Sequence, residues 1–226
     1  MQSLIFDFDG LILDTEYPEF QSWQEIYQEH GCSLPLSVWA ACIGTASDVF
    51  DPLDYLERQL GRAVDREAVL ARRRQRDAEL MQQQAVLPGV REYLVEAKRL
   101  GLKLGVASSS SHRWVDGQLA RLGLAEYFDC VRCREDVEIT KPHPALYLSA
   151  LRGLDSRAEE AIALEDSPNG LLAARQAGIF CVVVPNPLTR ELAFNGPDLL
   201  LNSLADLPLP ELLRLAQERK RGARAS

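Results

Sequence analysis

The stretch Leu4-Ile5-Phe6-Asp7-Phe8-Asp9-Gly10-Leu11-Ile12-Leu13-Asp14-Thr15-Glu16 sets two acids directly behind an apolar run. Buried strands exclude charge, because an unpaired carboxylate in a low-dielectric interior is costly. The end of this strand therefore has a use for negative charge. Three readings compete: a calcium loop, a solvated strand end, and a metal-assisted phosphoryl-transfer site.

Further apolar runs follow at Leu102–Ala107, Ala161–Leu164 and Phe180–Val184, with shorter ones at Cys130–Cys133 and Leu199–Leu201. They are nearly continuous rather than alternating, as expected of strands covered on both faces. Between them lie helical patterns at Val90–Leu100, His112–Leu122, Pro144–Arg152 and Gly170–Gly178. Gly101, Gly123 and Gly178 stand where C-terminal caps belong. Strand alternating with helix specifies an α/β fold with a doubly wound parallel sheet. The alternation breaks once. From Thr15 to Gln84 the pattern is helical, punctuated by Gly31, Pro35, Gly44, Pro52 and Gly61. This span exceeds any crossover helix, so residues 15–84 are expected to form an inserted all-helical domain. Residues 1–14 and 85–226 form the α/β core. An insert hinged just past Asp9 is placed to act as a lid.

Composition narrows the function. The 226 residues carry a net charge of −8, which argues against a nucleic-acid partner. No apolar run is long enough to cross a membrane, and the N-terminus lacks a signal-peptide pattern. A cytoplasmic protein is expected, with nothing demanding more than a monomer. Cys32, Cys42, Cys130, Cys133 and Cys181 read as reduced thiols. Cys130-Val-Arg-Cys133 has CxxC spacing but no second pair, and reads as strand. The arginines Arg72, Arg73, Arg74 and Arg76 read as a solvated helix face. His30, His112 and His143 read as non-catalytic.

Ligands of doubly wound sheets bind beyond the carboxyl ends of the strands. Asp7 and Asp9 follow the first run, Ser108-Ser109-Ser110-Ser111 the second, and Glu165-Asp166 the run at 161–164. Lys141 sits in "ITKPHP", shortly before a helix. Four carboxylates, hydroxyls and one ammonium should converge. Two carboxylates at ~4 Å repel by about 4 kcal/mol at an effective dielectric near ~20. Either some are protonated, or a divalent cation sits among them. Hard oxygen ligands favour Mg²⁺, and Ser and Lys beside them suit a phosphate group.

At these residues the chain resembles the haloacid dehalogenase superfamily. "DFDGLILDTE", Ser108 after "KLGVAS", Lys141 in "KPHP" and "LEDSPNG" match its four motifs in order, and the helical insert looks like the cap of the β-phosphoglucomutase-like subfamily. The calcium-loop reading then fails, since Leu11, Ile12 and Leu13 stand where further oxygen ligands are needed. The resemblance implies a phosphatase acting on a small phosphorylated metabolite, such as a sugar phosphate or nucleotide. It implies Asp7 as nucleophile, Asp9 as acid and base, Ser108 and Lys141 on the phosphoryl group, and Mg²⁺ held by Asp7, Asp9 (through its carbonyl), Glu165 and Asp166. Asp9 points away from dehalogenation, because the dehalogenases lack this second acid.

Two alternatives stand beside it: a sugar-phosphate mutase, and a non-catalytic phosphate-binding protein. Against a mutase, the insert has no lysine; Lys98 is the first in the chain. Ser47 stands where the mutase pattern has Arg, and Glu19 where it has a gating His.

Overall fold

The computed structural model describes residues 1–40 and 50–225. Cys42, Gly44 and Ser47 lie outside the described residues. In chain order the elements are β1 (Ser3–Phe6), α1 (Glu16–Glu29), α2 (Leu36–Ala40), α3 (Pro52–Leu60), α4 (Arg66–Gln83) and α5 (Val90–Arg99). They continue with β2 (Lys103–Ala107), α6 (His112–Leu122), β3 (Cys130–Arg132), α7 (Ala145–Gly153), β4 (Ala161–Glu165), α8 (Pro168–Gln176), β5 (Phe180–Val183), β6 (Leu199–Leu200) and α9 (Leu209–Ala225).

Two compact units result. Residues 1–13, 86–186 and 192–226 form one, residues 14–85 and 187–191 the other. The first is built on a sheet of order β3-β2-β1-β4-β5-β6, parallel throughout. β1 is central, and its residues Leu4, Ile5 and Phe6 are fully buried. Helices cover the sheet. Leu146, Tyr147 and Ala150 of α7 and Leu171 and Ala174 of α8 join Ile5 and Ala163 in one apolar cluster. Gly101, Gly123 and Gly178 have the positive φ of helix C-terminal caps.

The first strand covers the apolar run and stops before Asp7. It ends at Phe6, and Phe8 heads a tight turn whose carbonyl accepts the N–H of Ile12 (2.9 Å) and Leu13 (3.3 Å). Leu11, Ile12 and Leu13 are buried, so this apolar run anchors the turn in the core. α8 starts earlier than its pattern, at Pro168. Proline is pre-set for a first helical turn, and the Ser167 hydroxyl caps it by accepting from Gly170 N–H.

In the helical unit, Phe20, Trp23, Ile26 and Tyr27 of α1 pack with Leu53 and Leu56 of α3 and Val69 of α4. Asp51 caps α3, accepting from Leu53 and Asp54 N–H. Of the four arginines expected on a solvated face of α4, Arg72 and Arg74 are exposed, while Arg73 and Arg76 are half-buried. Arg76 pairs with Glu25 (2.5 Å), Arg72 with Glu29 (3.0 Å), and Arg73 lies over the Trp23 ring, 3.7 Å from Glu19. They dock α4 on α1 because their stems cover apolar surface while their charges meet α1 acids. Asp14 lies just ahead of α1 and accepts the N–H of Tyr17 in its first turn. Among the described residues, no helix is long and apolar enough to cross a membrane.

Cavity creation dominates the cost of truncating a fully buried strand residue. Ile5→Ala should lower unfolding stability by about 2–5 kcal/mol, read from the urea midpoint. Leu200→Ala, on the exposed edge strand, should stay within about 0.5 kcal/mol of the parent.

Candidate active site

Parallel register puts the ends of β1, β2 and β4 in one row. Phe6 pairs with Val106 and with Leu164. Asp7 N–H donates to the Leu164 carbonyl (2.9 Å) and Ser108 N–H to that of Arg132 (2.9 Å). Asp7, Ser108 and Asp166, which leave these strands, and Glu165, which ends β4, therefore share one edge.

Asp7, Glu165 and Asp166 are buried, with a carboxylate oxygen from each lying within 4.8 Å of the others. Lys141 comes from the loop before α7 and places its Nζ 2.6 Å from both Asp7 Oδ1 and Glu165 Oε1. The side chains of Lys141, Asp7 and Glu165 are 5%, 10% and 0% exposed, so water screens these charges little. Burial, the charge of Glu165 and, more weakly, that of Asp9 push the Asp7 carboxyl up to about 7, against the pull of Lys141. Burial alone would lower the Lys141 ammonium, but Asp7 and Glu165 hold it above its usual range, so it stays charged. The Tyr147 hydroxyl donates to Glu165 Oε1 and is itself raised, by burial first and the Glu165 charge second. The Asn186 amide donates to Asp166 Oδ2 (2.9 Å).

Two glycines make room for these acids. A side chain on Gly10, which has φ +80°, would overlap the Asp166 carboxylate; one on Gly170 would overlap that of Glu165. "DG" and "NG" in the two acidic motifs are thus packing requirements of the carboxylates.

The cluster fits a divalent cation. Three carboxylates share one ammonium, leaving an excess of negative charge, and all the donors are hard oxygens. Asp9 is not among them. Its Oδ2 accepts from Ser110 Oγ (2.7 Å) and Ser108 Oγ (3.2 Å), and its Oδ1 from Trp114 Nε1 (2.9 Å). The two acids of the first motif therefore face different partners. Asp7 meets the ammonium and the other carboxylates, Asp9 neutral donors.

Of the residues singled out in the sequence, Asp7, Lys141, Glu165 and Asp166 form one group, and Asp9 with Ser108 a second beside it. Tyr147, Asn186, Ser110 and Trp114 went unnoticed as partners. Asn186 follows β5, so the strand-end rule extended to that strand would have found it. Ser110 lies within the serine run. Tyr147 and Trp114 sit inside helices, where only tertiary contact reveals them. The histidines stay apart: His112 bridges Asp116 (3.1 Å) and Asp136 (2.7 Å), and His143 is exposed. Cys130 and Cys133 are free and buried, and burial pushes the Cys133 thiol up to about 12. Such thiols neither bind metal nor do redox chemistry readily.

Residues 4–184 match the model of the haloacid dehalogenase-like hydrolase family. The chain is 48% identical to "Putative phosphatase YhcW" of Bacillus subtilis (strain 168), covering 94% of this chain and 96% of that one. It is 32% identical to hexitol phosphatase B of Escherichia coli (strain K12), covering 92% and 95%. The solved structure of a "putative beta-phosphoglucomutase" from Thermotoga maritima superposes with TM-score 0.77 at 27% identity, covering 95% and 99%. The chain belongs to the haloacid dehalogenase-like hydrolase family. Within it, it stands with the β-phosphoglucomutase-like members and is an enzyme of the phosphatase type.

Asp7 gives a signed stability effect. Folded, it holds its proton up to about pH 7; unfolded, to about 3.8. Across that window the folded state binds more protons, so stability falls as pH rises. In EDTA, urea unfolding should show the parent losing more stability between pH 4.5 and 7.5 than Asp7→Asn, which cannot ionise. Equal losses would contradict the raised carboxyl.

Proposed function

We propose that the enzyme is a Mg²⁺-dependent phosphatase of a small phosphorylated metabolite, a sugar phosphate foremost, working through an aspartyl-phosphate on Asp7. The observation that carries this reading is the buried pairing of Asp7 with Lys141 inside the three-carboxylate cluster. The hexitol phosphatase relative supports the sugar-phosphate class. The sequence is consistent with a monomer working in the cytoplasm.

Asp7 attacks phosphorus, and the bond to the leaving alkoxide breaks as Asp9 gives it a proton. Asp9, now ionised, takes a proton from water; that water attacks the acyl phosphate, releasing inorganic phosphate and restoring Asp7. Lys141 stays an ammonium and balances charge on Asp7 and the phosphoryl oxygens. Ser108, whose hydroxyl lies 3.2 Å from Asp9, turns it to a phosphoryl oxygen, beside the N–H groups that open α6. Asp7, Asp166 and the Asp9 carbonyl would hold Mg²⁺, with Glu165 joining directly or through water. The cation would neutralise charge on the transferring group. Because Glu165 Oε1 is already shared by Lys141 and Tyr147, the water-bridged arrangement is the simpler one.

Selection among phosphomonoesters is assigned to the helical unit, acting as a lid. A mutase is disfavoured there. It needs cations for a second phosphate, yet the insert has no lysine, and of Arg72, Arg73, Arg74 and Arg76, which could substitute, Arg72, Arg73 and Arg76 already lie against α1 acids.

Hydrolysis of para-nitrophenyl phosphate should vanish in EDTA, return with Mg²⁺ and return poorly with Ca²⁺, whose looser coordination misplaces the nucleophile. Full activity without divalent metal would remove the metal assignment. Asp7→Asn should reduce turnover at least about 10³-fold, and rapid-quench labelling should put phosphate on Asp7 in the parent. Label on serine or histidine overturns the mechanism. β-Glucose 1-phosphate with catalytic β-glucose 1,6-bisphosphate should yield little glucose 6-phosphate; efficient isomerisation without phosphate release would establish a mutase instead.

A further inference from the structure

An acid–base carboxylate on a turn is useful only if it is aimed. Asp9 follows β1 in the tight turn of residues 8–13, and its side chain has two rotatable bonds. Three donors converge on its two oxygens, and two of them play no part in the mechanism above: Ser110 Oγ at 2.7 Å and Trp114 Nε1 at 2.9 Å. These are the shorter two of the three contacts. They also take one oxygen each, which fixes the carboxylate plane as a single contact would not.

Both donors sit on a framework of their own. The Ser110 carbonyl accepts from Arg134 N–H (3.0 Å), and Ser110 N–H donates to Ser108 Oγ (3.0 Å). Trp114 occupies the first turn of α6, where its N–H reaches the side chain of the cap residue Ser111 (3.3 Å). Val115, the next residue, is fully buried and pins that turn to the core. The indole N–H is a donor only, and a rigid ring holds it in place without the entropy cost of a long flexible side chain.

We infer that Trp114 and Ser110 are positioning residues for Asp9, holding its carboxyl where it meets the leaving-group oxygen and, later, the attacking water. The inference rests on the assignment of Asp9 as acid and base. Ser108 is released to the phosphoryl group on substrate binding, and Trp114 and Ser110 keep Asp9 aligned after that exchange. Loss of either lets the carboxyl turn away, and misplacement of about 1 Å is enough to cost a large factor in rate.

The test separates aim from general damage through leaving-group chemistry. Phenyl phosphate expels a basic phenolate that needs the proton from Asp9; para-nitrophenyl phosphate expels a stabilised anion that needs it far less. The readout is the ratio of kcat/KM for phenyl to that for para-nitrophenyl phosphate, with the full-length enzyme in Mg²⁺. Trp114→Phe, which keeps a ring and removes the N–H, should lower this ratio about fivefold to tenfold. Ser110→Ala should do the same, and Ser110→Thr, which keeps the hydroxyl, should restore it. In an Asp9→Asn background Trp114→Phe should leave the ratio where Asp9→Asn put it, because the two act as one unit. Equal losses on both substrates, or an unchanged ratio in both Trp114→Phe and Ser110→Ala, overturn the inference while leaving the Asp7 mechanism standing. Parent-like turnover of both substrates by Asp7→Asn would overturn the mechanism itself, and the inference with it.

Discussion

The Lys141 ammonium, shared at 2.6 Å between Asp7 and Glu165, is the contact on which the rest of the site depends. Three carboxylates within 4.8 Å in a region shielded from water would repel strongly if alone. One buried cation reduces that repulsion, but cannot cancel it. The Asp7 carboxyl stays raised, chiefly by burial. The remaining negative charge is what a hard divalent ion requires.

The neighbourhood follows from that constraint. Gly10 and Gly170 lack side chains because carboxylates fill the space beside them. Tyr147 and Asn186 donate to Glu165 and Asp166, so part of the desolvation cost is offset by hydrogen bonds. Breaking such a buried network by deleting one partner is far more damaging than its net stability suggests. The site and the core therefore share one set of contacts.

The two acids of the first motif are separated by one residue, yet strand geometry gives them different surroundings. Asp7 leaves β1 among charged groups, while Asp9, in the turn, meets two hydroxyls and an indole. Different surroundings let chemically identical side chains take different tasks, as the proposed roles of Asp7 as nucleophile and Asp9 as proton carrier require.

Much of this is legible in the sequence. The apolar runs, the glycine caps and the acids at the strand ends are local signals, and local backbone physics brought them to one sheet edge. The sheet order β3-β2-β1-β4-β5-β6 puts the first motif between the second and the fourth, and a parallel sheet collects such strand ends on one edge whatever lies between them in the chain. The partners of the acids were not legible. Tyr147 and Trp114 lie within ordinary amphipathic helices, and no local pattern marks a hydroxyl or an indole that will meet a carboxylate 18 or 105 residues away. Nor did the sequence show that the Asp9 carboxylate meets Ser108, Ser110 and Trp114, or that Arg73 and Arg76 dock one helix on another. Those outcomes depend on side-chain direction and on distance through space. The chain alone determined which chemistry is gathered; tertiary packing decided which group faces which, because hydrogen bonds and screened charges act only over a few ångströms.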